Sequence, residues 1–92
     1  MYIVDSTKAY RKAYKRFLKH RDFNRQILED IVNTLARGEK LSPKHHDHQL
    51  MGELKEYREC HVKNDILLMY QKHENVLMLL LVDLGTHDDL FR

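Results

Sequence analysis

The segment Val76-Leu-Met-Leu-Leu-Leu-Val-Asp-Leu84 is apolar at every position except Asp83. A strand with one wet and one dry face cannot be written this way, because successive side chains point to opposite faces. The run is also far below the roughly 20 apolar residues that cross a bilayer as a helix. It is therefore expected to be a strand, central in its sheet or covered on both faces, and the rest of the chain must supply its neighbours and its cover.

The preceding stretch supplies neighbours. Leu54 to Val62 alternates by about two and Ile66 to Tyr70 is a short apolar run. Between them Lys63-Asn-Asp65 and Lys72-His-Glu-Asn75 have the composition of hairpin loops, giving an antiparallel meander. The first half supplies the cover. Ser6 and Thr7 can cap a helix reaching about His20, in which Tyr10, Ala13, Tyr14 and Phe17 form one apolar stripe assigned to the core. Asp22 is placed to cap a second helix carrying Phe23, Ile27, Ile31 and Leu35, with Gly38 where helices commonly stop. A short link makes the two an antiparallel pair. Tyr2 to Asp5 reads as a short first strand, Glu39 to Gly52 as a loop, and Gly85 to Phe91 as a turn and one short helical turn. The order implies an α+β class: two N-terminal helices packed on an antiparallel sheet of three to four strands, in one domain over residues 1–92.

Charge is unevenly spread. Up to Pro43 there are 10 Lys or Arg against 5 Asp or Glu, and beyond it 6 against 9, so a basic half (+5) is joined to an acidic one (−3). The first helix concentrates the positive charge in Lys8, Arg11, Lys12, Lys15, Arg16 and Lys19, with no acidic residue between Lys8 and Arg21. Such a face suits RNA or another polyanion. The single cysteine, Cys60, cannot form an internal disulfide and is expected to be a small buried residue. Without a signal-like N-terminus or a membrane span, the expected location is the cytoplasm.

Chemistry is concentrated in the second half. Glu59 and His61 lie two apart in a strand and share a face, His48 lies in the preceding loop, Asp65 at the mouth of the following hairpin and His87 in the tail. Histidine suits proton transfer near neutrality because both of its forms are populated there. Cleavage of an RNA phosphodiester without metal needs a base for the ribose 2′-hydroxyl, an acid for the leaving 5′-oxygen, and a cation for the phosphorane. Arg58 or nearby lysines could supply the cation. His45-His-Asp-His48 could instead hold a metal, but no CxxC or HExxH pattern accompanies it, and no metal or cofactor is expected. His20, His45, His46 and His73 read as solvent-facing.

Taken together, Asp47-His-Gln-Leu-Met-Gly52, Tyr57-Arg-Glu-Cys-His-Val62, Asp65-Ile-Leu-Leu-Met-Tyr70 and Leu84-Gly-Thr-His-Asp-Asp-Leu-Phe91 resemble the YafQ-like toxins of the RelE superfamily. The resemblance implies a ribosome-dependent endoribonuclease that cuts translated messenger RNA and is restrained by a partner antitoxin, the toxin alone being a monomer and the pair a hetero-oligomer. It carries His48, Glu59, His61, Asp65, His87 and Phe91 over as active-site residues, with His87 as general acid, Phe91 positioning a base, and His61, Asp65 or His48 as general base. Asp65 would face away from His61 across a simple two-residue turn, and only a longer loop or a bulge would bring it closer. Two other functions fit the same fold: a ParE-like inhibitor of DNA gyrase, which needs no RNA-cutting residues, and a plain RNA-binding module, which gives His87 and Phe91 no task.

Overall fold

The computed structural model describes residues 1–91, which form a five-stranded sheet with helices over one face. In chain order the elements are β1 (Ile3–Ser6), α1 (Lys8–Leu18), α2 (Arg25–Ala36), β2 (His48–Gln49), β3 (Arg58–Lys63), β4 (Ile66–His73), β5 (Met78–Gly85) and α3 (His87–Leu90). The strands lie in the order β1-β5-β4-β3-β2. Short 3-10 turns at Pro43–His45 and Gly52–Leu54 flank β2.

Local chemistry explains the helix boundaries. The Thr7 hydroxyl accepts from the Tyr10 amide and donates to the Val82 carbonyl at 2.5 Å, so one residue caps α1 and fastens it to β5. Asn24 caps α2 by accepting from the Ile27 amide, a role expected of Asp22. The second helix stops as expected at Gly38, which takes a left-handed φ of +78°. The Tyr2 amide then donates to the Ala36 carbonyl, tying the end of α2 to the start of the chain.

The core lies between the helices and the sheet. Tyr10, Ala13 and Phe17 of α1 and Leu28, Ile31 and Leu35 of α2 meet Cys60, Leu68, Tyr70, Leu79, Leu81 and Leu84 from the strands, all buried. The helices cover different strands, α1 lying on β5 and α2 on β3. Phe23, in the link before α2, packs against the rings of Tyr14 and Phe17 of α1. The apolar run is interior from Met78 on, since β5 is paired on both sides, whereas Val76 and Leu77 are exposed in the turn before it. The middle strand is β4, whose Leu67 and Met69 are buried on the face away from the helices.

Two expectations are corrected. The sheet is mixed, because β1 pairs in parallel with β5 while the other pairings are antiparallel. The helices carry the chain from one edge of the sheet to the other, and the meander returns β5 beside β1 in the same direction; side-chain periodicity holds no information on direction. The count is five strands, since the loop contributes β2, whose two residues are too few to show alternation.

Candidate active site

The site begins where β2 pairs with β3, setting His48 opposite Glu59. The His48 Nε2 lies 3.1 Å from Glu59 Oε1, an ion pair when the ring is protonated. His48 is half exposed, whereas Glu59 is 7% exposed and its Oε2 has no hydrogen-bond partner among the described residues. On the other side of the ring, His48 Nδ1 lies 2.6 Å from the His46 carbonyl. A carbonyl only accepts, so Nδ1 must carry a proton and donate. Nε2 in turn faces the Glu59 carboxylate, so both ring nitrogens are directed at oxygens.

Pairing extends the site across the sheet. Residues directly opposite share a face, so Glu59, Met69 and Asp83 form one row, and His61, Leu67 and Gly85 the next. Two interstrand spacings of roughly 4.8 Å put the backbones of His61 and Gly85 about 10 Å apart. The β2 strand begins only at His48, which leaves the outer edge of β3 free beside His61. The loop before β2 fills it: His45 Nδ1 donates to the His61 carbonyl at 2.7 Å, and the His46 ring stands edge-on to the His61 ring at 5.3 Å. His46 takes a left-handed φ of 48° to do so.

Gly85 leads into α3, where Thr86 caps the helix and its amide donates to Asp89 in a reciprocal box. A Cβ on Gly85 would lie 2.8 Å from the Cβ of Asp89, so only glycine lets α3 fold back so tightly on the end of β5. The turn brings the His87 ring within 4.8 Å of the Phe91 ring. Arg16 of α1 reaches Asp89 at 3.9 Å, which places the end of the basic helix beside α3.

Of the six expected active-site residues, His48 and Glu59 touch, His61 lies on the same face, and the rings of His87 and Phe91 meet at a tilt beyond the end of β5. Asp65 is exposed in the β3–β4 turn, where a register shift between His61 and Lys63 forms a bulge. Arg58 is turned the other way. It lies opposite Tyr70, on the helix-covered face, with Nη2 3.4 Å from Asp47 Oδ2 and Nε donating to the Tyr70 hydroxyl at 3.3 Å. Burial alone would lower the Arg58 guanidinium, but the Tyr70 hydroxyl and the Asp47 carboxylate raise it above its ordinary value. The Tyr70 hydroxyl donates to Asp47 Oδ1, and burial together with this bond raises the phenol well above its usual range.

Cys60 is fully buried, and burial raises its thiol well above the ordinary value, which suits an inert core residue. The α1 residues Lys8, Arg11, Lys12, Lys15, Arg16 and Lys19 are all exposed. Arg11 donates to the Ser6 carbonyl at 2.5 Å, while the four lysines make no ion pair among the described residues. Sequence reasoning missed the tasks of His45, His46 and Asp47. Their one signal was their density beside His48, which without the edge geometry reads as a solvated loop. Among the described residues no helix is long and apolar enough to cross a membrane, and no three His, Cys, Asp or Glu side chains are gathered as a metal site.

This architecture is shared. The chain is similar to a metal-bound toxin from Helicobacter pylori, at 41% identity and a TM-score of 0.91 over 99% of this chain and 100% of that one. It is similar to a chain of the E. coli DinJ-YafQ complex, at 26% identity and a TM-score of 0.88 over the full length of both. A stretch of 40 residues is 48% identical to a candidate YafQ toxin of Haemophilus influenzae, covering 44% of this chain and 39% of that protein. The family model for YafQ, the bacterial toxin of type II toxin-antitoxin systems, matches residues 2–92, and the chain belongs to that family.

Proposed function

We propose that the chain is a ribosome-dependent endoribonuclease that cuts translated messenger RNA without a metal ion and is held in check by a cognate antitoxin. The observation that carries the reading is the gathering of His48, Glu59 and His61 on one sheet face, with His87 and Phe91 at the end of the strand that completes it. Three separate segments supply these groups, an arrangement that a gyrase-binding or purely RNA-binding surface does not require.

In this reading the message lies across the open face. His61 takes the proton of a ribose 2′-hydroxyl as its oxygen attacks the adjacent phosphorus, with exposed Asp65 as the competing base. His87 gives a proton to the 5′-oxygen as the P–O bond breaks, leaving a 2′,3′-cyclic phosphate and a 5′-hydroxyl. Phe91 stacks on a base and keeps the His87 ring in place. Arg58 is committed to Asp47 and Tyr70, so the phosphorane charge falls to nearby lysines, while His48 and the buried Glu59 hold each other in place. The lysines of α1 hold ribosomal RNA or message by charge. The complexed E. coli relative supports a protein antitoxin as partner.

The decisive experiment is a translation reaction with and without ribosomes, with cleavage mapped by primer extension. Cuts in translated message only when ribosomes are present are expected. Intact message under both conditions would overturn the reading.

A further inference from the structure

The loop that carries three histidines crosses the edge of the sheet, and one of its residues goes the other way. His46 and His48 reach His61 and Glu59 on the open side. Asp47 between them, 21% exposed, turns to the helix-covered side, where the Tyr70 hydroxyl donates to one carboxylate oxygen and Arg58 pairs with the other. We infer that Asp47, Tyr70 and Arg58 form a clamp that positions His46 and His48, and through them His61, for cleavage.

Three features support this. Tyr70 is fully buried in the middle strand, so the clamp is anchored in the most rigid part of the core rather than in another loop. Its hydroxyl both donates to Asp47 and accepts from Arg58 Nε, so the phenol, carboxylate and guanidinium close a ring in which each holds the other two. The β2 strand has only two paired residues, too few to fix the loop by backbone bonds alone. Without the clamp, the left-handed turn at His46 and the His48–Glu59 contact depend on this short pairing, the 3-10 turn, and the bond from His45 to the His61 carbonyl. None of the three clamp residues touches the reacting atoms; they act by placing those that do, where about 1 Å of displacement can cost roughly a hundredfold in rate.

The inference rests on the nuclease reading for its consequence but not for its geometry, and the test separates the two. Tyr70→Phe and Asp47→Asn are compared with the parent protein in two measurements. In cleavage on programmed ribosomes, the rate at saturation is expected to fall about tenfold or more while the half-saturating ribosome concentration is unchanged. In nuclear magnetic resonance, the parent should show an Overhauser contact between the His48 ring and the Glu59 side chain that weakens or vanishes in both variants, well below their melting temperatures. Loss of the contact upholds the clamp even if the parent cuts no RNA, an outcome that would sink only the nuclease reading. If both variants fold and retain the contact and the parental rate, the clamp is refuted. Asp47→Asn guards against failure to fold, since it alters a partly exposed side chain rather than the core.

Discussion

His87 illustrates how much one residue can carry when its surroundings are built for it. It opens α3, and its ring lies 4.8 Å from Phe91. In the proposed reaction it must be protonated and must donate to the leaving oxygen, and removing such a group typically lowers the rate by about a hundredfold to ten-thousandfold. His87→Gln keeps the bulk and some hydrogen bonding but cannot donate a proton in this way; it should fold and bind antitoxin normally while losing single-turnover cleavage by that factor. A near-parental rate would remove the proposed acid. Gly85→Ala tests the same machinery from behind. Its new Cβ meets Asp89 at 2.8 Å, so α3 must shift and the Thr86 box must loosen, at a cost of about 1 kcal/mol if that cap is lost. Thermal unfolding should register that loss, and cleavage should fall further than the small destabilisation explains, because His87 and Phe91 move with the helix. An unaltered cleavage rate in a folded Gly85→Ala protein would show that the placement of α3 is not critical.

At the scale of elements, α1 joins two functions along one cylinder. Its apolar side is locked into the core by Tyr10, Ala13 and Phe17, so its basic side is presented rigidly, and the Arg16–Asp89 contact brings that side up to α3. Replacing Lys8, Lys12, Lys15 and Lys19 by Gln should leave the fold intact, weaken association with ribosomes and reduce the steepness of its salt dependence by up to about 3, as fewer counterions are released. Unchanged binding and slope would make this a merely solvated face. Both sides of α1 were legible in the sequence, as were the buried run of β5, the stop at Gly38 and the shared face of Glu59 and His61, because each follows from a local period or a single residue's backbone preference. The parallel pairing of β1 was not legible, since strand direction is set by where the helices deliver the chain. Strand alternation alone turns Arg58 away from Glu59, but its partners were not legible: Tyr70 lies opposite it through pairing register, and Asp47 comes from a loop whose path the sequence leaves open. The bulge beside Asp65 likewise depends on pairing register, which residue types alone leave undetermined.

The whole molecule ties its stability and its chemistry to groups held by the same core. Tyr10 is 8% exposed, and burial, with the nearby Tyr14, pushes its phenol up to about 12 from an ordinary 10.0. A phenol that ionises later in the folded chain contributes stability that is complete below pH 10 and lost as the pH rises from 10 towards 12. Chemical denaturation should therefore show falling stability across that window, and Tyr10→Phe should flatten the fall; an equal decline in both proteins would assign it to other groups. The metal question also belongs at this scale. A relative from Helicobacter pylori has been crystallised with metal, and this chain has seven histidines. In the loop, however, His48 uses one nitrogen for the His46 carbonyl and directs the other at Glu59, and His45 gives Nδ1 to the His61 carbonyl. A metal that took His48 as a ligand would have to break one of its two contacts first, and with it part of the arrangement beside His61. Toxin stripped with a chelator and returned to chelator-free ribosomes is accordingly expected to cut at the parental rate, and added zinc or copper to leave that rate unchanged or lower it by pulling His48 from Glu59. Loss of cleavage on stripping, restored by zinc, copper or manganese, would make the loop a metal site and replace the proton-transfer mechanism with one in which the ion activates the attacking oxygen.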